Sequence, residues 1–179
     1  MKNEIQKGSN IGLILGGILI LLLIIYSPIK MRLNICHIIG GIICGVFLCL
    51  INCIITLFIS KKYSNYLYRR TEGVHRFALT KAQTYLSFVA DVFVEELLLR
   101  SYLFSFICLS LGKFSAIFAT TVLFIILHSK PRIIELGLMG ITFGVLVIIT
   151  NNIITPIMAH LSINLIYLGY KYKKNKKTY

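Results

Sequence analysis

Residues 84–111 read TYLSFVADVFVEELLLRSYLFSFICLSL, an apolar run interrupted by one cluster of charged side chains. A transmembrane helix needs about 20 mostly apolar residues to cross a hydrocarbon core of about 30 Å, and this run is long enough. Further apolar segments occupy residues 11–29, 35–59, 114–128, 133–150 and 153–170. The pattern predicts an all-α fold, a polytopic membrane helix bundle with about six transmembrane helices.

The composition agrees with a membrane protein. Of the 179 residues, 57% are hydrophobic and only 14% are charged, and the mean hydropathy is +0.83. A soluble domain is typically about 45–50% apolar and about 25% charged. The composition excludes a disordered chain and disfavours a soluble globular domain.

The basic residues predict how the helices are oriented. The chain has 19 Lys and Arg against six Asp and Glu. With the N-terminus in the cytoplasm, 15 of the 19 fall in inner segments, and the outer segments hold only Lys30, Arg32 and Lys113. Because cytoplasmic loops collect Lys and Arg, we expect six crossings with both termini in the cytoplasm.

Two basic segments, at residues 60–81 and 171–179, raise the alternative of a nucleic-acid partner. Both directly abut membrane helices on the predicted inner side. Anionic lipid attracts each Lys or Arg there by about 1 kcal/mol. We therefore predict contact with anionic lipid at the cytoplasmic face and no nucleic-acid partner.

The charged cluster in the run at 84–111 does not belong in lipid. Each charge near the bilayer centre costs about 2.5–3.5 kcal/mol, so these side chains are expected to face the bundle interior. Glu96 and Arg100 are four residues apart and can form an ion pair that explains both. Glu95 points about 100° away around the helix, so this ion pair does not explain its presence, and it is available for a functional role. Asp91, one turn earlier, is expected near the inner headgroup level.

Two later helices contribute polar anchors. His128 ends the segment at 114–128, and His160 and Asn164 lie four residues apart on the last helix, so their side chains project side by side. Taken singly, either histidine is explained as well by packing as by function. From the helical rise, Glu95, His128 and His160 all fall in the cytoplasmic half, which predicts a polar cavity open to the cytosol.

The residue types limit the chemistry. Asp91 is the only aspartate, which excludes a two-aspartate site within one chain, and no His-Glu-x-x-His or Gly-x-Ser-x-Gly motif is present. Glu95, with His128 nearby, could take a proton from water attacking a peptide carbonyl, while His160 and Asn164 donate to the oxyanion. Alternatively, His128, His160 and Glu95 could bind zinc. Spacing leaves both alternatives open.

Three motifs in this order resemble a known family. They are Glu95-Glu96-x-x-x-Arg100, Phe124-x-x-x-His128 and His160-x-x-x-Asn164, on three membrane helices. They look like the motifs of the CPBP (Abi) family, which includes CAAX prenyl endopeptidases of the Ras-converting type, bacteriocin-immunity proteins and lysostaphin-resistance-like proteins. The resemblance covers about residues 80–170, roughly half of the chain.

The resemblance implies a glutamate-type intramembrane endopeptidase, although such proteins are often labelled metalloproteases. It implies that Glu95 and His128 activate water, that Glu96 and Arg100, supported by Phe124, position the site, and that His160 and Asn164 form the oxyanion hole. We expect two membrane helices and a basic loop at 1–79, the catalytic bundle at 80–170 and a basic tail at 171–179.

The biological role is less constrained by the motifs. The Ile-, Lys- and Asn-rich composition suggests an AT-rich bacterial genome, and so a multi-pass protein of a bacterial cell membrane. There we expect a peptide or small membrane-protein substrate, in bacteriocin immunity or peptide maturation. The competing hypothesis is a non-catalytic membrane protein that confers immunity by binding.

Overall fold

Helices form every regular element that a computed structural model describes, over residues 16–59, 81–128 and 133–175. We number them α1 (Gly16–Ile25), α2 (Ile35–Ile59), α3 (Lys81–Glu96), α4 (Phe104–Leu127), α5 (Ile133–Thr150) and α6 (Ile154–Asn175), with a π-helix at Leu97–Leu103 between α3 and α4. The predicted all-α class is confirmed.

Three stretches within the described residues are long and apolar enough to cross a membrane: Ile35–Ile55, Phe88–Leu127 and Ile133–Thr150. Two shorter apolar helices, Gly16–Ile25 and Ile154–Gly169, accompany them. Large apolar side chains cover the outside of the bundle, where Leu109 is 90% and Phe114 is 89% exposed. Such a surface suits lipid, and the prediction of a multi-pass membrane protein is confirmed.

The stretch Phe88–Leu127 is not one straight span. Gly112 has φ 85° and ψ 171°, which interrupts the helical backbone, and a positive φ of this kind favours glycine. Arg100 Nη1 lies 3.3 Å from the carbonyl oxygen of Thr120, whereas twenty residues of straight helix would separate them by about 30 Å. The chain therefore folds back at Gly112, in the predicted gap between the segments at 84–111 and 114–128.

Helices α2 and α6 pack closely and in parallel. A Cβ atom added at Gly41 would stand 2.5 Å from the carbonyl oxygen of Thr155, and one added at Gly45 would overlap the carbonyl oxygen of Ala159. The contact thus advances by four residues along both helices in the same direction. Small residues at such positions let membrane helices approach. A parallel pair agrees with the predicted order of crossings.

Several sequence-based predictions concern residues outside the described ranges. These are the inner basic residues of the N-terminus, of most of the loop at 60–81, of the segment at 129–132 and of the last four positions. The count of six spans, the cytoplasmic termini and the three-part division of the chain stay predictions.

Candidate active site

The charged cluster lies where the backbone changes from α-helix to π-helix. Helix α3 ends at Glu96, and the next seven residues, Leu97–Leu103, form the π-helix. Short π-helical segments, with their wider i→i+5 turn, are rare in proteins overall. Those that do occur lie frequently at functional sites. The wider turn changes the angle between residues four apart, so the direction of Arg100 relative to Glu96 differs from that in an α-helix.

Glu96 is fully buried and has two cationic or donor neighbours. Its Oε1 accepts a hydrogen bond from His160 Nδ1 at 2.9 Å, and its Oε2 lies 3.9 Å from Arg100 Nε. The predicted Glu96–Arg100 pair is thus present as an ion pair beyond hydrogen-bond distance. The shorter contact, with His160, joins α3 to α6 and was not predicted.

Arg100 is also fully buried, and its contacts connect the π-helix to α4 and α5. Its guanidinium donates to the carbonyl oxygens of Thr120 in α4, at 3.3 Å, and of Gly140 in α5, at 3.4 Å. The guanidinium carbon lies 5.3 Å from the centre of the Phe124 ring, within the range of a cation–π interaction. This bracing agrees with a positioning role.

His128 and Glu95 face each other at the accessible edge of the cluster. His128 Nδ1 donates to the carbonyl oxygen of Phe124 at 2.9 Å. Its Nε2 lies 3.8 Å from Glu95 Oε2, and the two side chains are 30% and 35% exposed. Because a carbonyl can only accept, Nδ1 carries a proton and the neutral ring has its lone pair on Nε2, toward Glu95.

Aromatic rings hold both histidines. The buried Phe124 ring lies 4.3 Å from the His128 ring and 5.7 Å from the His160 ring, between centroids. Phe143 of α5 lies 5.3 Å from the His160 ring at an interplanar angle of 30°. Phe124 could be predicted from its motif, whereas Phe143 could not, because an apolar residue at helical spacing carries no signal beyond packing.

The structure brings Glu95, His128 and His160 together, whereas Asn164 and Asp91 are not hydrogen-bonded to any of the three. Asn164 is half-buried and makes no hydrogen bond with any described residue, and Asp91 is exposed, as expected. Glu135, in the first turn of α5, is buried, with only 5% of its surface exposed.

One donor atom from each of Glu95, His128 and His160 lies within 4.8 Å of the others, so the three could hold a metal ion. Tetrahedral zinc ligands about 2.0–2.2 Å from the ion stand about 3.4 Å apart, so a modest closure would suffice. Both histidines place Nδ1 against an acceptor, which is how metal-binding histidines are usually oriented. The donor set therefore fits zinc as well as a water molecule.

A protein-family model described as type II CAAX prenyl endopeptidase Rce1-like matches residues 77–166. The matched segment contains all three motifs and every residue of the charged and aromatic cluster. No curated protein and no solved structure matches the chain significantly.

Proposed function

The chain belongs to the Rce1-like family of type II CAAX prenyl endopeptidases, and on this premise we propose that it is a glutamate-type intramembrane endopeptidase. In this proposal Glu95 and His128 activate the hydrolytic water. One observation carries it, the 3.8 Å separation between Glu95 Oε2 and His128 Nε2. Both atoms are acceptors when Glu95 is ionised and His128 is neutral, and they lie too far apart to bond directly.

A water molecule between these two acceptors can donate one hydrogen to each. As its oxygen attacks the peptide carbonyl carbon, Glu95 takes one proton and the carbonyl oxygen becomes the oxyanion. When the tetrahedral intermediate collapses, the C–N bond breaks and the proton on Glu95 passes to the leaving amine. General acid–base transfer of this kind contributes typically about 10²–10⁴-fold to the rate.

His160 is suited to the oxyanion if both of its ring nitrogens carry protons. Nδ1 donates to Glu96, so a proton on Nε2 would face the reacting carbonyl oxygen. In that form His160 and Arg100 carry two positive charges against the two negative charges of Glu95 and Glu96, so the four side chains together are neutral. Neutrality matters because unpaired buried charge is costly. Asn164, one turn further along α6, would supply the second donor.

A zinc-dependent form of the same protease is the second candidate, favoured by the anchored Nδ1 atoms of both histidines. Glu95, His128 and His160 would hold the ion, and Glu96 would orient His160. Zinc in such a site polarises a carbonyl and lowers the pKa of bound water. The two forms differ at His160, whose Nε2 would carry a proton in the first form and would be available to hold the ion in the second.

The substrate is proposed to be a peptide segment at the membrane. The partial exposure of Glu95 and His128 gives a carbonyl group access to them, while Glu96 and Arg100 stay fully buried behind. Bacteriocin immunity, or maturation of a small peptide, would use such an activity. A non-catalytic immunity protein is the competing function, since the buried polar cluster also serves packing.

Mass spectrometry of membrane peptides from cells with the wild-type chain and with Glu95→Gln tests the proposal. We expect one or more substrates to accumulate uncut in the variant, and Asp91→Asn serves as the matched control. Identical peptide patterns, together with retained biological activity, would contradict the endopeptidase function and favour the non-catalytic immunity protein.

A further inference from the structure

A cavity lies at the end of the bundle opposite the candidate active site. Its volume is about 570 Å³, within the range of about 300–1,000 Å³ that small-molecule sites occupy. The walls are mainly apolar, from Ile29, Phe104, Leu109, Val147 and Ile148, and Lys113 and Asn151 also line it. We call this space the outer cavity.

The rim of the outer cavity collects the three basic residues predicted on the outer side. Lys113 lines the cavity, and Lys30 directly follows Ile29 in its wall. Arg32 lies beside the same rim, because its backbone exchanges hydrogen bonds of 3.1 and 2.8 Å with the side chain of Asn152, which directly follows the lining residue Asn151. Among the described residues, none of the three forms an ion pair with an acidic side chain.

A basic cluster at this position is unexpected, since Lys and Arg concentrate on the cytoplasmic side. The cavity beside it opens among lipid-facing side chains, for Leu109 in its wall is 90% exposed. An apolar space reached from lipid, with positive charge at its outer rim, is complementary to an amphiphile that carries a phosphate above an acyl chain.

We propose that the outer cavity binds one anionic phospholipid of the outer leaflet. Its acyl chain fills the apolar space between the loop at residues 27–30, α4 and α5, and its phosphate lies near Lys113 and Lys30. The proposal is independent of the protease activity, because it uses none of the residues assigned to hydrolysis.

The cavity wall is fixed rather than formed by a loose loop. Ser27 Oγ donates to the carbonyl oxygen of Ile29 at 2.6 Å, and the backbone N–H of Ile29 donates to Ser101 Oγ at 3.0 Å, all buried. Ser101 belongs to the π-helix and directly follows Arg100. A lipid in this cavity would therefore stabilise the loop and the π-helix together, so we expect binding to raise the unfolding temperature.

Native mass spectrometry of the purified full chain, mixed with equal amounts of phosphatidylglycerol and phosphatidylcholine, tests the proposal. We expect one phosphatidylglycerol to be retained more strongly than any lipid bound at the predicted cytoplasmic basic segments, and little phosphatidylcholine. Lys113→Gln and Lys30→Gln should each weaken retention about fivefold, as expected for one basic residue near an anionic lipid, and the double variant by more than tenfold. Lys7→Gln is the charge-matched control and should retain lipid like the wild type.

A steric variant tests the apolar part of the site separately. Cys108, which is half-buried in the wall, can be changed to Phe to fill the space without altering charge. We expect Cys108→Phe to lose phosphatidylglycerol while Glu95→Gln keeps it. Equal retention of both lipids by the wild type, or Lys-to-Gln variants that behave like Lys7→Gln, would overturn the proposal.

Discussion

His160 Nδ1 donates a hydrogen bond of 2.9 Å to Glu96 Oε1, and both side chains are buried. This contact joins the first and third sequence motifs across two helices. It also fixes the orientation of the His160 ring, so the direction of the other ring nitrogen, Nε2, is set by the hydrogen bond to Glu96. Glu96 thus orients His160 in addition to pairing with Arg100.

Glu96→Gln should impair catalysis with little effect on substrate binding. The amide oxygen can still accept from Nδ1, so the ring orientation is kept, but the negative charge that stabilises a protonated His160 is lost. We expect kcat to fall about 10²–10³-fold, as when an oxyanion donor is removed, with KM within a few-fold of the wild type. The measurement is cleavage kinetics on the identified peptide, and an unchanged kcat would contradict the role of Glu96.

Glu95→Gln and His128→Ala should each abolish most of the activity, because both groups act on the same water. We expect losses of about 10²–10⁴-fold for each and a double variant hardly worse than either single one, since residues acting as a unit are non-additive. Asp91→Asn, which removes an exposed carboxylate one turn away, should retain activity within about twofold. Strictly multiplicative losses would show that Glu95 and His128 act separately.

The sequence patterns predicted the helices and the three residues that converge, Glu95, His128 and His160. They did not predict that His160 pairs with Glu96. The cost of charge in lipid placed Glu95 and Glu96 inside the bundle, and spacing alone suggested Arg100 as the partner of Glu96. The contact with His160 depends on the rotation of α6 against α3 and on the π-helix that begins at Leu97. Neither leaves a local trace in the residues.

Arg100→Met should destabilise the fold strongly. The substitution removes the positive charge that compensates the buried carboxylate of Glu96. It also removes the hydrogen-bond donors to the carbonyl oxygens of Thr120 and Gly140. Breaking a buried ion pair by removing one partner costs about 3–5 kcal/mol. Denaturant unfolding in detergent measures the loss, and adding Glu96→Gln to Arg100→Met should recover part of it. If the double variant is no more stable than Arg100→Met, the two charges are not coupled.

Metal removal separates the two forms of the proposed protease. In the glutamate-type form, chain purified in chelator should contain far less than one zinc per molecule by elemental analysis and should keep its cleavage rate. The reason is that Glu95 and His128 activate water without help. Loss of activity in chelator, restored by zinc in the wild type but not in His160→Ala, would establish the metal-dependent form instead.

Adjacent glycines in α2 provide a matched test of the α2–α6 contact. At Gly41 an added methyl group would stand 2.5 Å from the carbonyl oxygen of Thr155 and 2.8 Å from Met158 Cβ, whereas at Gly40 it would meet nothing within 4 Å. Gly41→Ala should therefore destabilise the protein by about 1–3 kcal/mol through overpacking. Gly40→Ala should be neutral or stabilising by up to about 1 kcal/mol, because alanine favours the helix.

Thermal and denaturant unfolding of both variants in the same detergent measures this difference. Activity should follow stability, since Thr155 and Met158 precede His160 on α6 and a displaced α6 would move His160 from Glu96. If Gly41→Ala and Gly40→Ala prove equally stable, the two helices are not in close contact. If Gly41→Ala is unstable but fully active, the position of α6 does not limit catalysis.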